Sequence, residues 1–216
     1  MLPAFAHIVT CPFCGTKKEL LALTSGNTIR AKHWSDQKMI APMLPIVSPV
    51  QKCPTCGKYY LIDDQPFEEG NDYSTELGEL SYQQWKEAYS QFQADKNTKR
   101  DDMQVIRHYL IMAFNDDYYR YFDKPAPAQE EAYFIDVIHE YIASNKWDSR
   151  NILFKAELYR EAGEMDKCRE VLSKIDPNKL DSFNSLIYKE MMERIVNNDK
   201  KVFEIDFESV IRRTIF

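Results

Sequence analysis

Cys11-Pro12-Phe13-Cys14-Gly15 and Cys53-Pro54-Thr55-Cys56-Gly57 are two copies of one pattern, C-P-x-C-G. Between the inner cysteines lie 38 residues, Gly15 to Lys52, of a chain of 216. Two cysteines three apart on a tight turn aim both sulfurs at one point. The glycine that follows accepts a positive φ and lets backbone N–H groups turn back toward the sulfurs. Two such knuckles supply four thiolates, the full tetrahedral shell of a structural zinc site at about 2.3 Å per bond. Matched flanking prolines and glycines favour one shared site over two unrelated C-x-x-C segments. Cys11, Cys14, Cys53 and Cys56 are therefore the predicted ligands of a single zinc ion, and a closed shell of four thiolates makes its role structural.

Working outward, the region 1–66 reads as strands and turns. Leu20-Leu21-Ala22-Leu23 and Tyr59-Tyr60-Leu61-Ile62 each follow a knuckle and suit strands. Ser25-Gly26-Asn27-Thr28 and Trp34-Ser35-Asp36-Gln37-Lys38 read as turns, and Pro42, Pro45 and Pro49 impose an extended return to the second knuckle. A core this small needs a metal staple. Residues 67–80, acidic and glycine-containing, read as a linker.

From Ser81 the apolar period becomes helical. One helix is expected after Ser81 and another over 100–122, with Met103, Ile106, Leu110 and Ala113 inward. A third begins near Pro127 with Phe134, Ile138, Tyr141 and Ile142 on one face. Asp148 or Ser149 is expected to cap a fourth that bears Ile152, Ala156 and Tyr159, with Gly163 ending it. Met165 to Ile175, stopped by Asp176-Pro177, and a helix opened by Asp181 or Ser182 complete the region to about residue 200. In the tail, 201–216, Phe203, Ile205 and Phe207 alternate with acids as in a strand, but Val210 and Ile211 break the alternation, and its structure is left open. The fold class expected is α+β: a small β-rich zinc ribbon over 1–66, a linker over 67–80 and an all-α domain over 81–200.

Composition narrows the function classes. No apolar run approaches the ~20 residues that span a bilayer, and the start, Met1 to His7, has neither a basic segment nor a long apolar one, so no signal peptide is read. Thiolate ligands with a lone fifth cysteine, Cys168, suit a reducing compartment, and a cytoplasmic protein is expected. Residues 1–66 net +3 and the remainder nets −9. That excess is too small for a nucleic-acid footprint, although Lys17, Lys18, Arg30, Lys32, His33 and Trp34 offer an alternative reading in which the ribbon binds nucleic acid. Cys168 reads as a small packing residue, and His7 and His33 as surface or packing groups. Asp136 and His139 share a helix face but lack a partner motif. The aromatics Tyr118, Tyr119, Tyr121 and Phe122 read as core, and Asp101-Asp102 and Asp116-Asp117 as helix-end charge on the surface. The chain holds no Walker loop, G-x-S-x-G, H-E-x-x-H or dinucleotide fingerprint. No enzyme and no small-molecule substrate are indicated. A non-enzymatic adaptor with a protein or peptide partner is expected.

Three resemblances add to this reading. The segment Ile152 to Lys174, ILFKAELYREAGEMDKCREVLSK, resembles a tetratricopeptide (TPR) helix pair, with Ala156, Tyr159, Gly163, Met165 and Cys168 at its small, aromatic, turn, bulky and small positions. Its closing Asp176-Pro177 comes early and no second copy is clean, so TPR-like is the description it supports. The knuckles are also similar to those of rubredoxin, which implies iron and electron transfer as the alternative to zinc. The whole arrangement, with the segments Ser25 to Thr28, Ala41 to Pro45 and Trp147 to Gly163, resembles a group of uncharacterised bacterial proteins. That resemblance implies an architecture and no activity.

Overall fold

In the computed structural model, which describes residues 1–122 and 124–206, each C-P-x-C-G segment is the turn of a β-hairpin. The strands in chain order are β1 (Leu2–Thr10), β2 (Lys17–Ser25), β3 (Lys32–Trp34), β4 (Met39–Ile40), β5 (Val50–Lys52), β6 (Tyr59–Leu61), β7 (Phe67–Glu69) and β8 (Glu204–Ile205). The helices are α1 (Tyr82–Ala94), α2 (Arg100–Asn115), α3 (Ala128–Ser144), α4 (Ile152–Glu161), α5 (Met165–Leu172) and α6 (Ser182–Val196). A π-helical turn, Asp116–Arg120, extends α2, and a 3₁₀ turn, Pro177–Lys179, follows α5. The fold is α+β, with small N-terminal strands around a four-cysteine cluster and then a helical region. No described helix is long and apolar enough to cross a membrane.

Two compact units divide the chain: Met1–Ala31 with Ile40–Leu110, and Lys32–Met39 with the residues from Ile111 on. This division differs from the expected boundary near residue 66 in two places. The ribbon unit keeps α1 and the first part of α2. The second unit takes a short piece, Lys32–Met39, out of the sequence between the knuckles.

In the first unit β1 is the middle strand of an antiparallel sheet ordered β2-β1-β7, while β5 and β6 form a separate hairpin. The β1–β2 register pairs His7 with Leu20 and Thr10 with Lys17, with a bulge between Ala4 and His7. Val9, Leu20, Cys11, Cys53 and Tyr60 make a small buried core, flanked by Val47 and Ile62. The stretch expected to be a linker is stitched to this sheet. Phe67–Glu69 pair with His7–Val9, Gly70 N–H donates to Ala6 O at 2.8 Å, and Leu21 N–H donates to Glu76 O at 2.8 Å. Gly78 lies so close to Gln51 that a β-carbon would come within 2.0 Å of its amide. Most side chains of 67–80 are polar or face water, while backbone groups of the stretch serve the sheet.

Helix α1 belongs to the same unit for an equally local reason. Ser81 caps it through a reciprocal box: Gln84 N–H donates to Ser81 Oγ at 3.3 Å, and Ser81 N–H to Gln84 Oε1 at 3.0 Å. One turn from its end, Gln91 satisfies both backbone groups of Tyr59, accepting from its N–H at 3.0 Å and donating to its C=O at 2.7 Å. The helix thereby occupies the open edge of β6.

In the second unit β3 pairs with β8, His33 opposite Ile205 and Trp34 opposite Glu204. The tail's alternation is thus a strand at Glu204–Ile205, and Phe207, Val210 and Ile211 lie outside the described residues. Leu153, Ala156, Met165, Cys168, Leu172, Met191, Ile195, Phe203 and Ile205 share one core, with Tyr159 and Ile187 half-buried against it. A Schellman turn links α4 to α5: Gly163 N–H donates to Arg160 O, and Glu164 N–H to Tyr159 O. Asn151, not Asp148 or Ser149, stands at the start of α4, while Asp148 turns to accept from Arg150. Aromatics fill the space beside α2, where the Phe114 and Phe134 rings stack at 3.9 Å and Tyr119 meets Phe114 edge-on at 5.4 Å. Tyr119 is buried as expected of core, but Tyr121 and Phe122 are exposed.

Candidate metal centre

The four cysteine sulfurs lie within 4.8 Å of one another. Cys11 Sγ is 3.7 Å from Cys56 Sγ, and Cys14 Sγ is 3.5 Å from Cys53 Sγ. A tetrahedron with metal–sulfur bonds of about 2.3 Å has edges of about 3.8 Å, so the sulfur spacing fits a single ion. The two knuckles build the cluster in the same way. Gly15 and Gly57 have φ of 75° and 74°, and each donates back to the first cysteine of its knuckle, to Cys11 O at 2.9 Å and to Cys53 O at 3.0 Å. The strand bonds Cys11 N–H to Thr16 O and Cys53 N–H to Lys58 O close each turn at 2.9 Å. Cys11 and Cys53 are buried in the small core, whereas Cys14 and Cys56 are exposed.

The electrostatics suit a cation. Burial opposes ionisation of Cys53, but the N–H groups of Cys56 and Thr55 and the neighbouring thiols bring it down to about 6. The Lys58 N–H favours ionisation of Cys56, yet burial and the other three sulfurs push it up to about 11. The hydroxyl and backbone of Thr16 lower Cys14. Four sulfurs this close cannot all carry charge without a positive centre between them, and a metal ion supplies one. Tyr60, beside them in the core, is raised to about 12 by its burial and by the four sulfurs. The donor set could therefore hold one metal ion.

The other residues singled out in the sequence fall elsewhere. His7 stacks on Phe67 at 4.3 Å, and His33 meets Phe183 edge-on at 6.3 Å. His139 faces Glu164 at 3.2 Å instead of joining Asp136. Cys168 is fully buried in the second unit's core, and burial, with Glu157 nearby, lifts its thiol to about 12. The six residues of the nucleic-acid reading are divided: Lys17, Lys18 and Arg30 belong to the first unit, and Lys32, His33 and Trp34 to the second. Lys17 pairs with Glu68 at 2.6 Å, Lys18 with Glu76 at 3.6 Å, and Lys32 with Glu204 at 2.9 Å.

Sequence reasoning missed a second cluster, a buried polar network in the second unit. Asp36 and Arg120 form an ion pair with no side-chain exposure, and Arg120 Nε also donates to Asp116 at 2.6 Å. Asp116, expected at the surface, pairs with Lys38 as well. Asn115 Nδ2 donates to Asp36 at 3.1 Å and to Glu161 at 2.9 Å. Beside them Arg160 grips Glu157 with two bonds, of 2.8 and 2.5 Å. The available signal was three charged residues, Glu157, Arg160 and Glu161, in a helix whose other positions, Lys155 aside, are uncharged.

Comparison with protein-family models, with curated proteins and with solved structures yields no match. The geometry of these residues is what a functional reading has to rest on.

Proposed function

We propose that the protein is a non-enzymatic adaptor in which Cys11, Cys14, Cys53 and Cys56 hold one structural zinc ion and the helical region binds another protein. The observation that carries the metal reading is the paired knuckles, whose sulfurs stand 3.7 and 3.5 Å apart across the cluster. Zinc in such a shell supplies folding energy and leaves no open coordination position for a substrate. Thiolate ligands favour a reducing, cytoplasmic setting.

For the partner, support comes from the TPR-like pair α4–α5. Its small positions, Ala156 and Cys168, are fully buried, and Gly163 makes the turn between the helices. Helix pairs of this kind present clefts to extended peptides. A cleft of about 210 Å³ in this unit is lined by Trp34, Phe154, Phe183 and Ile187, with Lys38 and Arg150 among its polar groups. It is sized for one apolar side chain of a partner, not for a cofactor.

Elemental analysis of the purified protein tests the metal: about one zinc per chain and a colourless solution are expected. A red protein with about one iron would replace this reading by the rubredoxin-like one, since iron in that shell changes oxidation state and zinc does not. For the partner, a photo-crosslinking amino acid at Asn184, on the wall of the cleft, should capture one recurrent protein in cells. Repeated failure to capture any would count against the adaptor.

A further inference from the structure

Within the buried network, charge does not balance. Asp36, Glu157 and Glu161 are all buried, and only two guanidinium groups, Arg120 and Arg160, lie among them. Arg160 is committed, and Arg120 is committed through Nε and Nη2, while its buried Nη1 has no hydrogen-bond partner. Arg120 serves Asp36 and Asp116, and Arg160 serves Glu157 and the Asp199 carbonyl, the latter at 2.6 Å. Among the described residues no cation pairs with Glu161. Its one partner is the Asn115 amide, which donates to Oε2 at 2.9 Å. Glu161 Oε1 and Asn115 Oδ1 are both buried and both lack a hydrogen-bond partner.

Two unpartnered acceptors on adjoining side chains want one donor. A carboxylic acid and a primary amide are complementary in that sense: the amide N–H donates to the carbonyl oxygen, and the acid O–H donates to the amide oxygen. A proton on Glu161 Oε1 therefore supplies what Asn115 Oδ1 lacks and removes an uncompensated buried charge. The same Asn115 amide also donates to Asp36, in the turn of the segment Lys32–Met39. That segment is held to the rest of its unit by Asp36, by Lys38 on Asp116, by Trp34 against Arg120, and by the short β3–β8 pairing, which Lys32 on Glu204 and two Ser35–Phe203 hydrogen bonds extend.

We propose that Glu161 and Asn115 form a proton-operated latch on residues 32–39: the segment is fastened while the Glu161 carboxyl carries its proton and loosens when that proton passes to solvent. On ionisation the O–H bond breaks, a buffer base takes the proton, and a carboxylate is left facing Asp36 and Glu157. Two carboxylates, Glu161 and Asp36, then share the one Asn115 amide nitrogen and repel each other across it. The groups facing Glu161 are Asp36 from the segment, Asn115 from α2, Tyr119 from the π-turn, and Glu157 and Arg160 from α4, with Arg120 on Asp36 and Asp199 on Arg160 next in line. Burial first, then the Glu157 and Asp36 carboxylates, hold Glu161 well above the ordinary glutamate range, against the opposing pull of Arg160 and Asn115.

The sign follows from linkage. The latched state binds the extra proton, so its advantage is complete below the ordinary glutamate pKa and is lost as pH rises through the latched value. In that window the opening equilibrium of 32–39 should rise about tenfold per pH unit. The test is a ¹³C carboxyl titration of Glu161 in the intact protein, with hydrogen exchange of 32–39 corrected for intrinsic rates at each pH. Glu161→Gln, whose amide supplies the missing donor without titrating, should make exchange in the segment independent of pH. Glu161 titrating near the ordinary value, or wild-type exchange flat across the window, would overturn the latch. So would an E161Q protein with the same pH dependence as wild type. The titration needs no variant, so poor folding of E161Q would not shelter the idea.

Discussion

Arg120 reaches back across 84 positions of sequence to Asp36, and both side chains are sealed from solvent where they meet. The π-turn sets up that contact, because Asp116 and Arg120 sit four apart within it and Arg120 bridges both acids. The Trp34 ring lies 4.5 Å from the guanidinium carbon and covers it. The arginine's charge is thus satisfied on two sides by carboxylates and on a third by a π-face.

Removing either partner should be severe. Asp36→Ala leaves a buried guanidinium without its main counter-ion, and we expect a loss of about 3–5 kcal/mol in urea unfolding. Arg120→Lys should not restore the wild-type value, since an ammonium cannot make the forked contact to two acids. A loss below about 1 kcal/mol for D36A would mean that the pair is hydrated in solution.

Loss of a metal ligand should be felt along the first unit. With Cys53→Ser, or after exhaustive chelation, amide protection is expected to fall in β1, β2, β5 and β6, because metal-binding energy is largely folding energy at such sites. It should fall in α1 too, since Gln91 depends on the backbone of Tyr59 for both its bonds. Hydrogen exchange by peptide decides it, and an α1 indifferent to the metal would contradict the tie.

The knuckle glycines give a milder effect. Gly57→Ala meets no neighbouring atom, so its cost is conformational: a side chain at φ of 74°. About 1–2 kcal/mol is expected, roughly a 5- to 30-fold weakening of metal retention in competition with a chelator. Gly57→Asn should lose less, because asparagine tolerates that region. Equal losses for the two variants would point to something other than φ.

Cys168 should be silent in the native protein. Its thiol is buried and pushed up to about 12, so almost no thiolate exists at neutral pH. A disulfide reagent at pH 8 should modify it only after denaturant unfolds the second unit's core. Rapid modification without denaturant would show that the α4–α5 core opens readily.

Much of this was readable from the chain, and what was not has physical reasons. The knuckles announce themselves by spacing, and the strands that follow them by the short apolar runs Leu20–Leu23 and Tyr59–Ile62. Helices α2, α3, α4 and α6 show their apolar faces, and Ser81 and Asp181 cap helices where a helix start was expected. Strand β1 was missed because Pro3 and the bulge after Ala4 blur its alternation. Residues 67–80 read as a linker because much of their attachment is made by backbone groups, to which side-chain patterns are blind. The buried network draws on Asp36, Asn115, Arg120 and Glu161, far apart in sequence, and each alone looks like surface. The excursion of 32–39 into the second unit was hidden for the same reason: a turn sequence specifies its own bend and not the surface it is laid against.

The long reach from Asp36 to Arg120 also bears on how the chain comes off the ribosome. At about 5–20 residues per second, the 84 positions between them take about 4–17 s to translate. Throughout that interval Asp36 and Trp34 are synthesised without the arginine they enclose. The second knuckle, by contrast, emerges while this wait continues, so both halves of the four-cysteine centre are outside before the arginine is made. The nascent chain can therefore close the four-cysteine cluster, on a metal ion if one is bound, before it adds the 32–39 strand pairing, once Glu204 and Ile205 have followed.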